Sequence, residues 1–177
     1  RDVLTELPEL THVEEWVTFD GVDAAAYNSA TDLMQARQFA ALGAGSLESG
    51  KFARLGELFD AYRGEGRKVV VFSFFRKVLD LVGQLAGGCA QINGDVSSTK
   101  RQELIDAFTA TDGFAVLACQ IDAGGLGINL QSAQVVVLME PQWKPSSERQ
   151  AIARVYRMGQ VNAVTVHRLL AKGTVEE

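Results

Sequence analysis

Apolar runs alternate with helical patterns through most of this sequence, and that alternation restricts the folds it can adopt. Residues 69–73, 114–118 and 134–139 are nearly continuous apolar segments, which are typical of strands buried on both faces. Between them, apolar residues recur at helical spacing, as in Val78, Leu79 and Val82. Strands that alternate with helices predict a parallel sheet covered on both faces, and therefore an α/β fold.

The first 48 residues follow a different pattern and predict a connecting segment. Residues 12–19 alternate well enough for a strand, and Asp20 can cap a helix that runs through Phe39. Small residues at 41–50 predict a linker, after which a second helix covers residues 52–62. We therefore predict two units, residues 1–48 as linker and helical appendage and residues 49–177 as the main domain.

Composition excludes several classes of protein. The 177 residues carry a net charge of −5, so the surface as a whole does not favour nucleic acid, and any such contact requires a local patch. Two cysteines and two histidines offer no metal-ligand spacing, and the cysteines predict buried thiols in a reducing compartment. No apolar run approaches the length of a membrane span. The first residue is arginine rather than methionine, and we interpret the chain as a fragment.

Residues 150–160 predict a helix with one polar stripe. Gln150, Arg154 and Arg157 would share that stripe, and Gly159 would end the helix. Two guanidinium groups fixed side by side suit phosphate oxygens, because each is planar, permanently charged and bidentate. A surface helix with ordinary solvated arginines is the alternative.

Gly45 to Lys51 match seven positions of the phosphate-binding P-loop. Phe52 stands where the magnesium-ligating hydroxyl belongs, and the residues upstream predict a helix instead of a buried strand. We therefore interpret this segment as a linker before a helix, which leaves the chain without an evident site for a nucleoside triphosphate and its magnesium.

Two further features lie in predicted loops. The glycines at 124, 125 and 127 do not fit the dinucleotide fingerprint, and they predict either a tight turn or a close backbone approach to phosphate. Trp143 is either a buried anchor or a platform on which nucleic acid stacks. Loops that follow parallel strands share one edge of the sheet, where α/β proteins bind ligands.

Four segments together, in their order and spacing, resemble the second RecA-like lobe of Swi/Snf-type DNA translocases in helicase superfamily two. The resemblance covers the chain from about Ser49 to Glu177. The four segments are 70–74, 92–108, 122–131 and 143–160. The resemblance implies a three-layer RecA-like domain with a mainly parallel central sheet, preceded by a strand and helix linker.

The resemblance also implies roles for individual residues. Arg154 and Arg157 match arginine fingers that reach the γ-phosphate of ATP, and Gln150 matches a residue that orders the same cleft. The turn that couples nucleotide state to DNA grip is matched by Asp122, Gly125, Gly127 and Asn129. Positions near the DNA backbone are matched by Ser73, Phe74, Gly94, Arg101, Trp143 and Lys144.

The sequence departs from the family pattern at three positions. Asp122 stands where many members have a basic residue, Lys144 replaces a common asparagine, and Glu140 replaces a common aspartate. The last two resemble a bacterial subgroup, which implies a cytoplasmic, nucleoid-associated protein.

By resemblance, the complete protein is a DNA-dependent ATPase that moves along double-stranded DNA. Its absent first lobe would bind most of the ATP and Mg²⁺, so we expect the chain alone to be inactive and to hold no cofactor. A scaffold lobe that docks on transcription or repair machinery, and an RNA helicase lobe, are the alternatives.

Overall fold

The computed structural model describes residues 7–19, 21–48, 50–122 and 128–177. Helices and strands alternate through most of this part of the chain, as the sequence predicts. In order, the elements are β1 (Leu10–Val17), α1 (Gly21–Asn28), α2 (Leu33–Leu42), α3 (Gly50–Glu65), β2 (Lys68–Ser73), α4 (Arg76–Leu85), β3 (Ala90–Ile92), α5 (Ser98–Ala110), β4 (Ala115–Gln120), β5 (Val135–Leu138), α6 (Pro145–Ala153) and β6 (Val164–Ala171).

The six strands form one sheet in the order β1-β6-β5-β2-β4-β3, and every neighbouring pair is parallel. The predicted α/β class with a parallel central sheet is confirmed. Strand β1 lies at one edge, where its eight residues pair with β6 from Leu10 opposite Val164 to Val17 opposite Ala171. Residues before position 49 therefore contribute an edge strand to the central sheet.

Helices cover both faces of the sheet and create two apolar cores. Successive residues of β2 serve different cores, because side chains of a strand alternate between faces. Val69 and Val71 pack in the core that includes residues of α3 and α4, whereas Val70 and Phe72 pack with residues of α5 and α6. Within the described ranges, none of the helices combines the length and apolar character that crossing a lipid bilayer requires.

The single helix predicted for residues 20–39 is wrong, because the structure has two helices there. Helix α1 ends at Asn28, and α2 begins at Leu33. Asp32 has extended backbone angles and accepts a hydrogen bond from the backbone N–H of Gln35, at 2.8 Å. An aspartate in this position starts a new helix instead of continuing the old one.

Candidate nucleotide and nucleic-acid interface

Loops at the carboxyl edge of the sheet are tied together by Gln120, the last residue of β4. Its side-chain carbonyl accepts hydrogen bonds of 3.4 Å from the Gly94 N–H, after β3, and from Arg76 Nε, after β2. Its amide donates to the Phe74 carbonyl at 3.0 Å. Three of the predicted contact loops therefore form one connected surface.

Ser73 and Glu140 link the ends of β2 and β5 beneath that surface. Ser73 is fully buried, and its hydroxyl donates to Glu140 Oε1 at 2.8 Å, while the Phe74 N–H donates to Oε2 at 2.7 Å. Burial raises the pKa of Glu140, although the Phe74 N–H and the charge of Lys51 favour the carboxylate. The Ser73 hydroxyl thus faces the protein and offers no surface to a ligand.

Three members of the predicted DNA-contact set lie around one cavity. Phe74, Trp143 and Lys144 line a cavity of about 340 Å³, together with Asp122. Trp143 is 60% exposed, so it is a surface side chain and not the buried anchor that the sequence leaves open as an alternative. Asp122, which the resemblance links to the nucleotide, lies in the structure beside the predicted DNA contacts.

The remaining predicted DNA contacts lie on the far side of Gln120. A Cβ atom on Gly94 would come 3.4 Å from the guanidinium of Arg76, so the loops after β2 and β3 lie close together here. Arg101 lies in the first turn of α5, which Ser97 caps, and donates to the Val96 carbonyl at 3.4 Å. Arg76, which pairs with Asp95 at 2.6 Å, is not among the residues predicted from sequence. Its position at the start of α4, directly after the β2 loop, indicates that it belongs to this edge.

The helix predicted to reach residue 160 ends at Ala153, so the proposed stripe of Gln150, Arg154 and Arg157 on one helix is wrong. The N–H groups of Arg154 and Val155 bond to carbonyls three residues back, and the Arg154 carbonyl accepts from the Leu130 N–H at 2.8 Å. The Arg154 carbonyl is therefore engaged by Leu130, where a further helical turn would use it, although the Tyr156 N–H still bonds to the Ile152 carbonyl four residues back. Residues 154–160, hereafter the arginine turn, form a tight non-helical segment.

Two glutamines hold the arginine turn in place. Gln131 Nε2 donates to the carbonyls of Arg157 and Met158. Gln160 is buried, and its Nε2 donates to the carbonyls of Val155 (2.8 Å), Gln131 (3.0 Å) and Ala133 (3.3 Å). The resemblance included both residues in its motifs, but their clamping role depends on contacts that sequence spacing does not reveal.

Gly159 does not end a helix as predicted, yet the turn requires it. Its φ is +97°, and an added Cβ would lie 3.0 Å from Gln131 Nε2. A side chain at this position would therefore strain the backbone and collide with the Gln131 side chain.

Arg154 and Arg157 differ in their surroundings. Arg154 is partly buried. Its positive charge lowers the pKa of the Cys119 thiol in β4, but burial of that thiol has the larger effect and raises its pKa to about 12. Arg157 is exposed. The arginine turn therefore presents one arginine toward the sheet and one toward solvent.

Other predicted nucleotide-side residues are exposed or fall outside the described ranges. Gln150 is exposed in the last turn of α6. Asn129 is exposed, and its Oδ1 accepts from the Gln131 N–H at 3.0 Å, which connects it to the glutamine clamp. Gly125 and Gly127 lie outside the described residues.

The structure confirms that Gly45–Lys51 is not a P-loop. Lys51 is buried at the start of α3, where Nζ donates to the Met139 carbonyl at 2.6 Å and pairs with Glu176 at 2.7 Å. The preceding element is helix α2 rather than a strand. A lysine enclosed in this way cannot reach a nucleotide phosphate.

Comparisons with known proteins identify the family and the fold. The sequence model of the family described as "Helicase conserved C-terminal domain" matches residues 50–159. A mouse protein named "DNA excision repair protein ERCC-6-like 2" is 38% identical over 133 residues, which are 73% of this chain and 9% of the relative. The chain thus corresponds to a small part of that relative.

Two solved structures share the fold. The C-terminal part of the Fun30 ATPase domain superposes with a TM-score of 0.85 at 18% identity, over 97% of this chain and 88% of that one. The Sulfolobus solfataricus SWI2/SNF2 ATPase core in complex with dsDNA gives 0.76 at 25% identity, over 96% of this chain and 42% of that one. The resemblance predicted from the four motifs is confirmed: the chain belongs to the helicase conserved C-terminal domain family, with the RecA-like fold of Swi/Snf-type C-terminal lobes.

Proposed function

We propose that this chain is the C-terminal lobe of an ATP-dependent motor that moves along double-stranded DNA. The similar Sulfolobus core was solved with dsDNA, and the mouse relative is named for DNA excision repair. Residues 49–177 form the motor lobe in this proposal. Residues 1–48 are the linker from the first lobe and also supply β1.

Arg154 and Arg157 act as arginine fingers in this motor. Charge develops on the transferred phosphoryl group, and guanidinium groups held in advance at that place stabilise it without reorganising. The observation that carries the proposal is the arginine turn, because Gln131 and Gln160 fix its backbone through hydrogen bonds to carbonyls. Gln150 orders the same cleft from the end of α6.

ATP and Mg²⁺ are bound mainly by the first lobe of the complete protein. The buried Lys51 supports this assignment, because the P-loop-like segment of this chain has no lysine available for phosphate. Bound Mg²⁺ would neutralise charge on the β- and γ-phosphates. From this lobe, Asp122, Gly125, Gly127 and Asn129 would connect nucleotide state to the DNA-contact loops. The isolated chain would therefore be inactive.

Duplex DNA lies against the loops after β2, β3 and β5. Phe74, Gly94, Arg101, Trp143 and Lys144 meet its backbone or groove, while Ser73 supports Phe74 from below through Glu140. Contacts of this kind are mainly to phosphate and carry no sequence information. Arg101 and Lys144 supply positive charge at this surface, although the chain as a whole has a net charge of −5.

The arginine fingers are tested in the full-length protein with Arg154→Ala and Arg157→Ala. Each change should lower DNA-stimulated ATP turnover by on the order of 10³-fold, the usual contribution of an arginine finger, while ATP affinity stays nearly unchanged. Arg149→Ala is the matched control, since Arg149 is an exposed arginine of α6 outside the turn. Unchanged turnover in both finger variants overturns this part of the proposal.

The nucleic acid that stimulates ATPase activity distinguishes a DNA motor from the two alternatives, an RNA helicase lobe and a scaffold lobe. We expect duplex DNA to stimulate more strongly than single-stranded DNA or RNA. Stronger stimulation by RNA would favour an RNA helicase. Absence of ATPase activity in the full-length protein would favour a scaffold lobe that docks on transcription or repair machinery.

A further inference from the structure

Three aromatic rings surround the guanidinium of Arg37 at the carboxyl edge of the sheet. Arg37 Cζ lies 5.0 Å from the ring centroid of Trp143, 5.8 Å from that of Phe74 and 5.9 Å from that of Phe75. Phe74 and Phe75 also meet edge to face, with centroids 5.3 Å apart. These three rings, hereafter the aromatic triad, come from two loops that are distant in sequence, one after β2 and one after β5.

Arg37 belongs to neither loop. It lies in α2, and it is only 9% exposed, although Leu33 and Met34 in the same helix are about half exposed. Burial lowers the pKa of Arg37, whereas the charges of Glu140 and Glu176 raise it. Arginine keeps its charge in such surroundings, so a cation remains fixed between the rings.

Glu140 links the same two loops through hydrogen bonds. It accepts from Ser73 and from the Phe74 N–H on the β2 side, and from the Gln142 side chain at 2.8 Å on the β5 side. Arg37 and Glu140 thus contact the same pair of loops. Their opposite charges act on each other.

We propose that Arg37 is a positioning residue that holds Trp143 and Phe74 together as one preformed contact surface for duplex DNA. A cation over an aromatic face attracts the ring, and the planar guanidinium can face several rings at once. Trp143 is 60% exposed and would otherwise sample several rotamers. Ordering the indole before the duplex arrives removes an ordering cost from binding. The DNA part rests on the proposed function, whereas the ordering of Trp143 does not.

The test uses the 177-residue chain with Trp16→Phe, which leaves Trp143 as its single tryptophan. Arg37→Met keeps the apolar stem and removes the cation, and Arg37→Lys keeps the charge without the planar face. Arg63→Met is the matched control, because Arg63 Cζ lies 4.7 Å from the Phe114 ring centroid in a second arginine–aromatic pair. That pair lies beside the amino end of β4, away from the aromatic triad.

Acrylamide quenching of Trp143 fluorescence reports how firmly the indole is held. We expect the quenching constant to rise about twofold in Arg37→Met, to rise less in Arg37→Lys, and to stay unchanged in Arg63→Met. Unchanged quenching in Arg37→Met overturns the proposal. If Arg37→Met unfolds the chain, Arg37→Lys decides: increased quenching supports the proposal and unchanged quenching overturns it.

Binding of a labelled DNA duplex measures how much the positioning of Trp143 contributes to DNA affinity. Arg37→Met should raise the dissociation constant about fivefold, and the same change should have a smaller effect in a chain that already carries Trp143→Ala, where only Phe74 is left to position. An equal loss in both backgrounds overturns positioning, because Arg37 would then act independently of Trp143. A chain that binds no duplex, yet shows the expected quenching, supports the ordering by Arg37 and counts against the proposed function.

Discussion

Lys51 and Glu176 form a buried ion pair, with Nζ 2.7 Å from Oε1, that joins the start of α3 to the last turn of the chain. Glu176 also accepts from the Ala171 N–H at 2.8 Å, at the end of β6. Lys51 occupies the lysine position of a P-loop-like sequence, but its role is structural, because it joins α3 to the residues after β6.

Lys51→Met should lower the free energy of unfolding by about 3–5 kcal/mol, because it leaves the Glu176 carboxylate buried without its partner. Urea denaturation followed by circular dichroism measures the loss. Lys172→Met removes an exposed lysine and should change little. Adding Glu176→Gln to Lys51→Met should recover part of the loss, and a loss below about 1 kcal/mol for Lys51→Met would contradict the expectation.

His167 should make stability depend on pH. Its Nδ1 lies 2.6 Å from Glu15 Oε2, and its Nε2 lies 2.7 Å from the Tyr62 hydroxyl. A carboxylate can only accept, so Nδ1 carries the proton and Nε2 accepts from Tyr62. Burial lowers the pKa of His167 below its ordinary value of 6.5, and it outweighs the opposite effect of Glu15.

The unfolded chain therefore binds a proton at His167 more readily than the folded chain does. The contribution of the neutral histidine is fully present above about pH 6.5. It is lost progressively as the pH falls from there through the lower pKa of the folded state. We expect His167→Asn to flatten the fall in unfolding free energy between pH 7.5 and 5, whereas His12→Asn, at an exposed position, leaves it unchanged. Equal pH profiles for the unmodified chain and His167→Asn would refute this assignment.

Gln160→Leu should impair catalysis more than binding of ATP. It removes an amide whose two N–H groups serve three carbonyls, that of Val155 in the arginine turn and those of Gln131 and Ala133 beside it. Buried carbonyls left without donors cost about 1–3 kcal/mol. In the full-length protein we expect DNA-stimulated turnover to fall roughly 10- to 100-fold, because small displacements of positioning groups are costly. Gln102→Leu, on an exposed face of α5, is the control. A fall in ATP affinity with normal turnover would argue against the clamp.

Lys144→Ala should weaken duplex binding for every sequence alike. Lys144 is exposed beside Trp143 at the candidate DNA surface. A lysine that contacts phosphate releases about one counterion, so the slope of log affinity against log salt concentration should fall by about 1. Fluorescence anisotropy of two duplexes with unrelated sequences, titrated at several salt concentrations, measures both effects. A loss confined to one sequence would indicate base readout instead.

Most of the fold could be predicted because its strands have a strong local pattern. The apolar runs at β2, β4 and β5 are buried on both faces, so sequence alone defines them within one or two residues. The pairing of β1 with β6 depends on contacts between residues about 150 positions apart, which periodicity cannot reveal.

The candidate site was less predictable where long-range hydrogen bonds override local preference. Residues 154–157 continue a helical pattern in sequence, but α6 ends at Ala153 and the Arg154 carbonyl accepts from the Leu130 N–H instead of serving a further helical turn. Ser73 matches a DNA-contact motif, yet Glu140, 67 positions away, turns its hydroxyl inward. Arg37 has no local signal at all, since its importance depends on rings from two other segments.

The edge position of β1 also has a consequence for biosynthesis. In the strand order, the only neighbour of β1 is β6, and the two are separated by more than 140 residues of chain. Of these two strands, β1 is made first and cannot enter the sheet until β6 has been made. Pairings between such distant segments slow folding, because the chain loses the entropy of closing a long loop before any stabilising contact forms. Until β6 has emerged from the ribosome, the backbone N–H and C=O groups of β1 lack the strand with which they pair in the folded domain.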